Sequence, residues 1–172
     1  MVFAAAAAVV HQRNRAVAHY VADEQSAPHL TGEQDPLITR KLLRRIVGLG
    51  PSSSIELDAP LVQRTTATAF ALAVDLRFGT HATHDQVQRF VTQIRGPRVA
   101  PEALNPVLAE QVLEAMYREH SLLGSTSPTE VLSAQNLMTY ALVHETNLFG
   151  GLPEQFVREA AELIGNHGTR AG

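Results

Sequence analysis

Three prolines in this sequence each follow a residue of the type that caps the start of a helix. The pairs are Asp35-Pro36, Asn105-Pro106 and Ser127-Pro128. A capping side chain accepts a hydrogen bond from an otherwise unpaired backbone N–H, and proline at the first helical position sacrifices no hydrogen bond. The segments 83–86 and 127–130 also read as capping boxes, because Gln or Glu stands three residues after Thr or Ser. These capping signals predict a chain built from helices.

Glycines mark the opposite ends of the predicted helices, because glycine readily adopts the left-handed conformation that often follows a last helical turn. The six positions are Gly48, Gly79, Gly96, Gly124, Gly150 and Gly165. Between these marks, apolar residues recur every three or four positions and strand-like alternation is nearly missing. We predict seven helices, at 3–23, 36–48, 60–78, 84–95, 105–123, 128–149 and 153–165.

The length of 172 residues suits one domain, which at this size buries about 70% of the surface that the unfolded chain exposes. We predict a single all-α domain over 1–172, a compact bundle of six to seven helices. Its parts are an N-terminal helix and polar linker (1–35), a basic amphipathic helix and Gly/Pro/Ser linker (36–59), a helical core (60–165) and a flexible tail (166–172). The first helix is semi-detached in this scheme, and its apolar face is covered either by its own bundle or by a partner.

A weak internal repeat joins two parts of the predicted core at an offset of seventy residues. The segment 70–72 (Phe-Ala-Leu) matches 140–142 (Tyr-Ala-Leu), and Asp75 matches Glu145. Each copy then reaches a Phe-Gly pair and a second helix. Either duplication of a helical hairpin or convergence on common core and capping residues explains this echo.

Composition excludes several classes of chemistry. The chain has no Cys, which rules out disulfides, thiolate zinc sites, iron–sulfur clusters and thiol nucleophiles. The apolar segment 1–10 lacks a positively charged start and is too short to span a membrane. We therefore expect a cytoplasmic protein without a membrane span.

The sharpest charge feature is a short basic helix. Residues 1–48 hold six Arg and Lys against four Asp and Glu, whereas residues 49–172 hold eight against thirteen. The cations of the predicted helix are Arg40, Lys41, Arg44 and Arg45, which share one arc, and Leu42, Leu43, Ile46 and Val47 occupy the opposite arc. The basic face either binds phosphates, anionic headgroups or an acidic protein surface, or is solvated and favoured by the helix dipole.

Two carboxylates, Asp75 and Glu145, are candidates for a pocket inside the bundle. Each lies near the apolar stripe of a long helix, and they correspond in the repeat. Facing a common interior, they would bind a cation or share a proton. At the edge of the stripes they would instead pair with arginines such as Arg77, Arg89 or Arg95.

The sequence gives little indication of a metal site. His81, His84 and Asp85 have a spacing that suits a metal, but they fall in a loop and helix start where polar residues are expected. His120 is a third candidate for the interior pocket. It stands beside glutamates without the Glu-x-x-His pattern of di-iron bundles, which favours a place at the core boundary. We predict no metal and no cofactor.

Catalytic templates are also missing: there is no serine elbow, phosphate-binding loop or dinucleotide motif. The leading hypothesis is a non-catalytic helical protein-interaction or assembly module, a regulatory or accessory subunit that binds a protein or itself. If it self-associates through the first helix, deletion of residues 1–23 should give a folded monomer. The alternatives are a nucleic-acid-binding regulator that uses the basic helix, and a helical enzyme or small-ligand-binding protein with interior acids.

Overall fold

The computed structural model describes residues 36–50, 60–117, 123–124, 126–145 and 153–168, with residues 166–168 described by their backbone alone. Within these ranges the fold is all-α, as predicted, and no strand is present. The helices are α1 (Pro36–Ile46), α2 (Pro60–Phe78), α3 (His84–Ile94), α4 (Pro106–Glu114), α5 (Pro128–Val143) and α6 (Pro153–Gly168). The predicted helix at 3–23, its polar linker and its semi-detached arrangement lie outside the described residues.

Local capping chemistry sets the helix starts that the structure describes in full. Thr83 and Ser127 each accept a bond from the backbone N–H three residues later, and both capping boxes are complete. Asn105 caps α4 by accepting bonds from two backbone N–H groups, with proline at the first helical position. The predicted starts of α3, α4 and α5 are therefore confirmed by hydrogen bonds.

The C-terminus of α1 is closed by a Schellman motif. The N–H of Leu49 donates to the carbonyl of Arg44 over 2.7 Å, and the N–H of Gly48 donates to the carbonyl of Arg45 over 3.1 Å. Gly48 has φ of 73°, a conformation that is strained for residues with a Cβ atom. The motif satisfies carbonyls that would otherwise lack partners.

Two predicted helix ends are wrong, and a third lies three residues beyond the predicted position. The helix predicted at 105–123 ends at Glu114, where the bonding pattern tightens so that the N–H of Met116 donates to Leu113 and Met116 is buried. The helix predicted at 128–149 ends at Val143. In contrast, α6 continues through Gly165 to Gly168, because glycine permits a helix end without imposing one.

The core is centred on α2. All residues from 65 to 74 are buried, so this helix is enclosed on every side. It packs most extensively on α5. Helices α1 and α6 pack on each other and on α2. Helix α3 packs on α4, and α4 in turn packs on α5. Phe70, Phe90 and Phe156 are among the largest fully buried side chains. Within the described ranges, no helix combines the length and hydropathy needed to cross a membrane.

Candidate functional site

The basic helix predicted from the sequence is α1, and its apolar arc faces the bundle. Leu42, Leu43, Ile46 and Val47 are all buried. On the opposite arc, Arg40, Lys41 and Arg44 are exposed and Arg45 is half-buried. The helix is therefore docked by one face and presents the cations on the other.

Two apolar side chains share the outward face of α1 with the cations. Leu37 is 59% exposed and Ile38 is 45% exposed. Leu37 lies three, four and seven residues before Arg40, Lys41 and Arg44. This helical spacing places the four side chains in one stripe. This is a mixed surface, with apolar groups set among positive charges.

Exposed large hydrophobic residues are rare in the described parts of the chain. Val107, on α4, is the one example besides Leu37 and Ile38. Two of the three thus lie in consecutive positions on the helix that carries the densest group of cations. Apolar side chains in such a position lose contact with water when a partner covers them.

Arg44, one of the cations of this face, contacts an acidic side chain of another helix. The guanidinium of Arg44 contacts the carboxylate of Glu154 at the start of α6 and also donates to the carbonyl of Leu49 over 3.5 Å. The Arg44 and Glu154 side chains are 44% and 56% exposed, so solvent screens their attraction. This contact links the outward face of α1 to the first turn of α6.

The C-terminal end of α1 is held against the end of α5. His144 donates from Nε2 to the carbonyl of Val47 over 2.9 Å. The rings of Tyr140 and His144 lie 4.5 Å apart, and a Cβ added at Gly48 would come within 2.8 Å of the Tyr140 ring. The backbone just after α1 therefore approaches α5 closely at this point.

The predicted pocket residues occupy different surroundings. Glu145 accepts a hydrogen bond from Nε of Arg77 over 2.6 Å, with side chains 23% and 37% exposed. Asp75 lies one turn before the end of α2, is partly buried and makes polar contacts. His120 lies outside the described residues. The part of the chain that the structure describes contains no group of three His, Asp or Glu side chains arranged to hold a metal ion.

The two histidines near the start of α3 have different surroundings. His84 contacts the carboxylate of Glu114 at the end of α4, and His81 is exposed in the preceding loop. The His84–Glu114 contact joins the ends of two helices that pack on each other.

A set of buried polar side chains on α2 and α5 was not predicted from the sequence. Thr65, Thr66, Gln135 and Thr139 are each at most 2% exposed. Threonine and glutamine are usually surface residues, so helical spacing alone gave no reason to place them in the core.

Comparison of the chain with protein-family models, curated proteins and solved structures finds no match.

Proposed function

We propose that this protein is a non-catalytic interaction module that binds an acidic protein segment through the outward face of α1. The observation that carries the proposal is the placement of Leu37 and Ile38, 59% and 45% exposed, on the face that carries Arg40, Lys41 and Arg44. A partner with carboxylates around an apolar stripe, such as an acidic amphipathic helix, complements both components of this surface.

The mixed character of the face favours protein over nucleic acid. Phosphate binding requires cations and gains little from exposed aliphatic side chains, whereas protein interfaces bury an apolar centre within a polar rim. The described helices outside α1 carry more acidic than basic residues, so a phosphate backbone leaving α1 would meet repulsion. Both points support an acidic protein partner.

The docking of α1 gives the module a rigid binding element. Its inward face is anchored by buried apolar residues, and its C-terminal end is tied to α5 by His144. A pre-ordered helix loses little conformational entropy when a partner binds. The bundle therefore acts as the scaffold, and α1 is the part that makes contact.

The test is affinity capture from an extract of the host, treated with nuclease, with the full-length chain as bait. Leu37→Ser combined with Ile38→Ser removes the apolar part of the face, and Arg40→Gln combined with Lys41→Gln removes two charges. Val107→Ser and Arg98→Gln are matched controls, because both residues are exposed and neither belongs to α1.

We expect a stoichiometric protein with an acidic, partly apolar segment. Both double variants should lose it, both controls should retain it, and high salt should weaken its binding. Capture of nucleic acid in untreated extract, lost only with the charge variant, would instead support the regulator hypothesis. A captured protein that all four variants retain equally would refute the role of α1.

A further inference from the structure

Helices α1 and α6 lie side by side at the surface of the bundle. They pack extensively on each other, and each also packs on the central helix α2. The guanidinium of Arg44 contacts the carboxylate of Glu154, and both side chains remain partly exposed. The outward faces of the two helices therefore adjoin at this contact. We call the surface formed by the solvent-accessible side chains of 37–45 and 154–162 the α1–α6 face.

The α6 half of this face is mostly acidic. On the outward side of α6, Glu154 and Glu162 are exposed and Glu159 is half-buried. Arg158, the one cation among residues 153–165, lies one helical turn from both Glu154 and Glu162. The inward side of the same helix is buried and apolar, with Phe156, Val157, Ala160 and Ile164. Carboxylates therefore dominate what α6 presents to solvent.

The α1 half of the face has the opposite charge. Residues 36–50 contain no Asp or Glu, and Arg40, Lys41 and Arg44 are exposed. The α1–α6 face is thus divided into a basic half and an acidic half that lie next to each other. Such a surface is complementary to its own copy after a two-fold rotation, because each half then meets the half of opposite charge.

The adjoining acidic half restricts which partner can cover α1. A partner that is acidic throughout would be attracted to α1 and repelled by the carboxylates of α6 beside it. A second copy of the chain avoids this conflict, because its own cations lie over those carboxylates. Its α6 also supplies what the outward face of α1 requires, which is a helix with exposed carboxylates.

We propose that the partner of α1 is a second copy of this chain, bound through a two-fold contact between α1–α6 faces. In this dimer, Arg40 and Lys41 of each copy face Glu159 and Glu162 of the other copy. The exposed apolar side chains at the start of α1 lose contact with water, and each favourable contact occurs twice. The inference rests on the proposed function, for which it names the partner.

The experiment is sedimentation velocity of the full chain with charge-reversed variants. One variant carries Arg40→Glu and Lys41→Glu, and the other carries Glu159→Lys and Glu162→Lys. Each variant alone sets like charges opposite each other in both halves of its contact, which should weaken dimerisation about 100-fold or more. An equimolar mixture of the two variants restores opposite charges in both halves, so the mixture should form a heterodimer.

Controls separate an effect on the interface from an effect on folding. Arg98→Glu and Glu102→Lys reverse charges at exposed positions outside α1 and α6, and each should dimerise like the unmodified chain. Far-UV circular dichroism reports whether a variant is folded. Glu159 accepts a hydrogen bond from Gln155 over 3.0 Å, so Glu162→Lys alone, at an exposed position, replaces the double variant if that one unfolds.

We expect the unmodified chain to form a dimer that is weakened by salt and by Leu37→Ser with Ile38→Ser. Folded charge-reversed variants that dimerise like the unmodified chain, a mixture that stays monomeric, or open-ended assemblies would overturn the two-fold contact. A monomeric chain that captures a different acidic protein through α1 would overturn this inference and leave the proposed function standing. A monomeric chain without any captured partner would refute both.

Discussion

Replacing Gly48 with alanine tests how closely the C-terminal end of α1 is held against α5. Gly48 has φ of 73°, and a Cβ at this position would lie 2.8 Å from Cε2 of Tyr140. Gly79, at the end of α2, has φ of 65° and no atom within 4 Å of the corresponding point. The two glycines share the backbone conformation and differ in their surroundings, so Gly79→Ala is a matched control.

The expected costs can be separated. A residue with a Cβ in the left-handed region costs about 1–2 kcal/mol, which applies to both substitutions. At Gly48 the ring of Tyr140 must also move, at about 0.5–1.5 kcal/mol for an off-rotamer side chain. That ring packs on His144, so its movement in the variant should also weaken the hydrogen bond from His144 to Val47. The weaker bond adds a further cost of up to about 1 kcal/mol. We expect about 1–2 kcal/mol for Gly79→Ala and about 1.5–4.5 kcal/mol for Gly48→Ala.

The assay is urea denaturation of the single variants and of Gly48→Ala in a Tyr140→Ala background. Removal of the ring should reduce the cost of Gly48→Ala to that of Gly79→Ala, because only the backbone term then remains. Equal costs for the two glycine variants, or an excess that persists without the Tyr140 ring, would show that α1 does not approach α5 as described.

Three further substitutions test other parts of the fold. Ser127→Ala removes the cap of α5 and should cost about 1 kcal/mol in urea denaturation, whereas Ser133→Ala, at an exposed position inside the same helix, should be close to neutral; equal effects would contradict the capping role. Phe90→Ala empties a fully buried site and should cost about 3–5 kcal/mol, and a cost below that of the cap variant would be inconsistent with the core. A double-mutant cycle between Arg77 and Glu145 should give less than about 1 kcal/mol of coupling, decreasing with salt, and a larger, salt-independent value would mean that this pair is shielded from solvent.

Helix starts were predictable from sequence because they depend on a few neighbouring residues. Thr83, Asn105 and Ser127 carry their own hydrogen-bond acceptors, and the structure shows each one in use. Helix ends were less predictable because they depend on tertiary contacts. Val143 ends α5 at the point where His144 bonds α1, and no local pattern announces a partner 97 residues away.

The candidate surface was predictable in part for the same reason. Helical periodicity correctly divided α1 into an inward apolar arc and an outward basic arc, since both follow from spacing. The exposure of Leu37 and Ile38 could not be predicted, because it depends on which helices cover the first turn of α1. Likewise, the burial of Thr65 and Gln135 depends on the tertiary packing of the bundle, which residue type alone does not indicate.

Whether the internal repeat reflects duplication stays a prediction. The corresponding residues Thr66 and Asn136 bond each other across α2 and α5, as residues near a two-fold axis would. The helices that follow them differ in their surroundings, since α3 packs mainly on α4 while α6 packs mainly on α1. If a hairpin was duplicated, the first helices of the two copies, α2 and α5, therefore stayed in contact, and the second helices, α3 and α6, took different positions.

Photo-crosslinking in host cells tests most directly the claim that the outward face of α1 is a binding surface. A photoreactive amino acid replaces Leu37 in one variant and Val107 in another, because both side chains are exposed, at 59% and 61%. We predict a defined crosslinked protein for position 37, weakened by Arg40→Gln with Lys41→Gln, and no matching product for position 107. The same products at both positions, or no product at position 37, would contradict the account and leave α1 as a solvated face of the bundle.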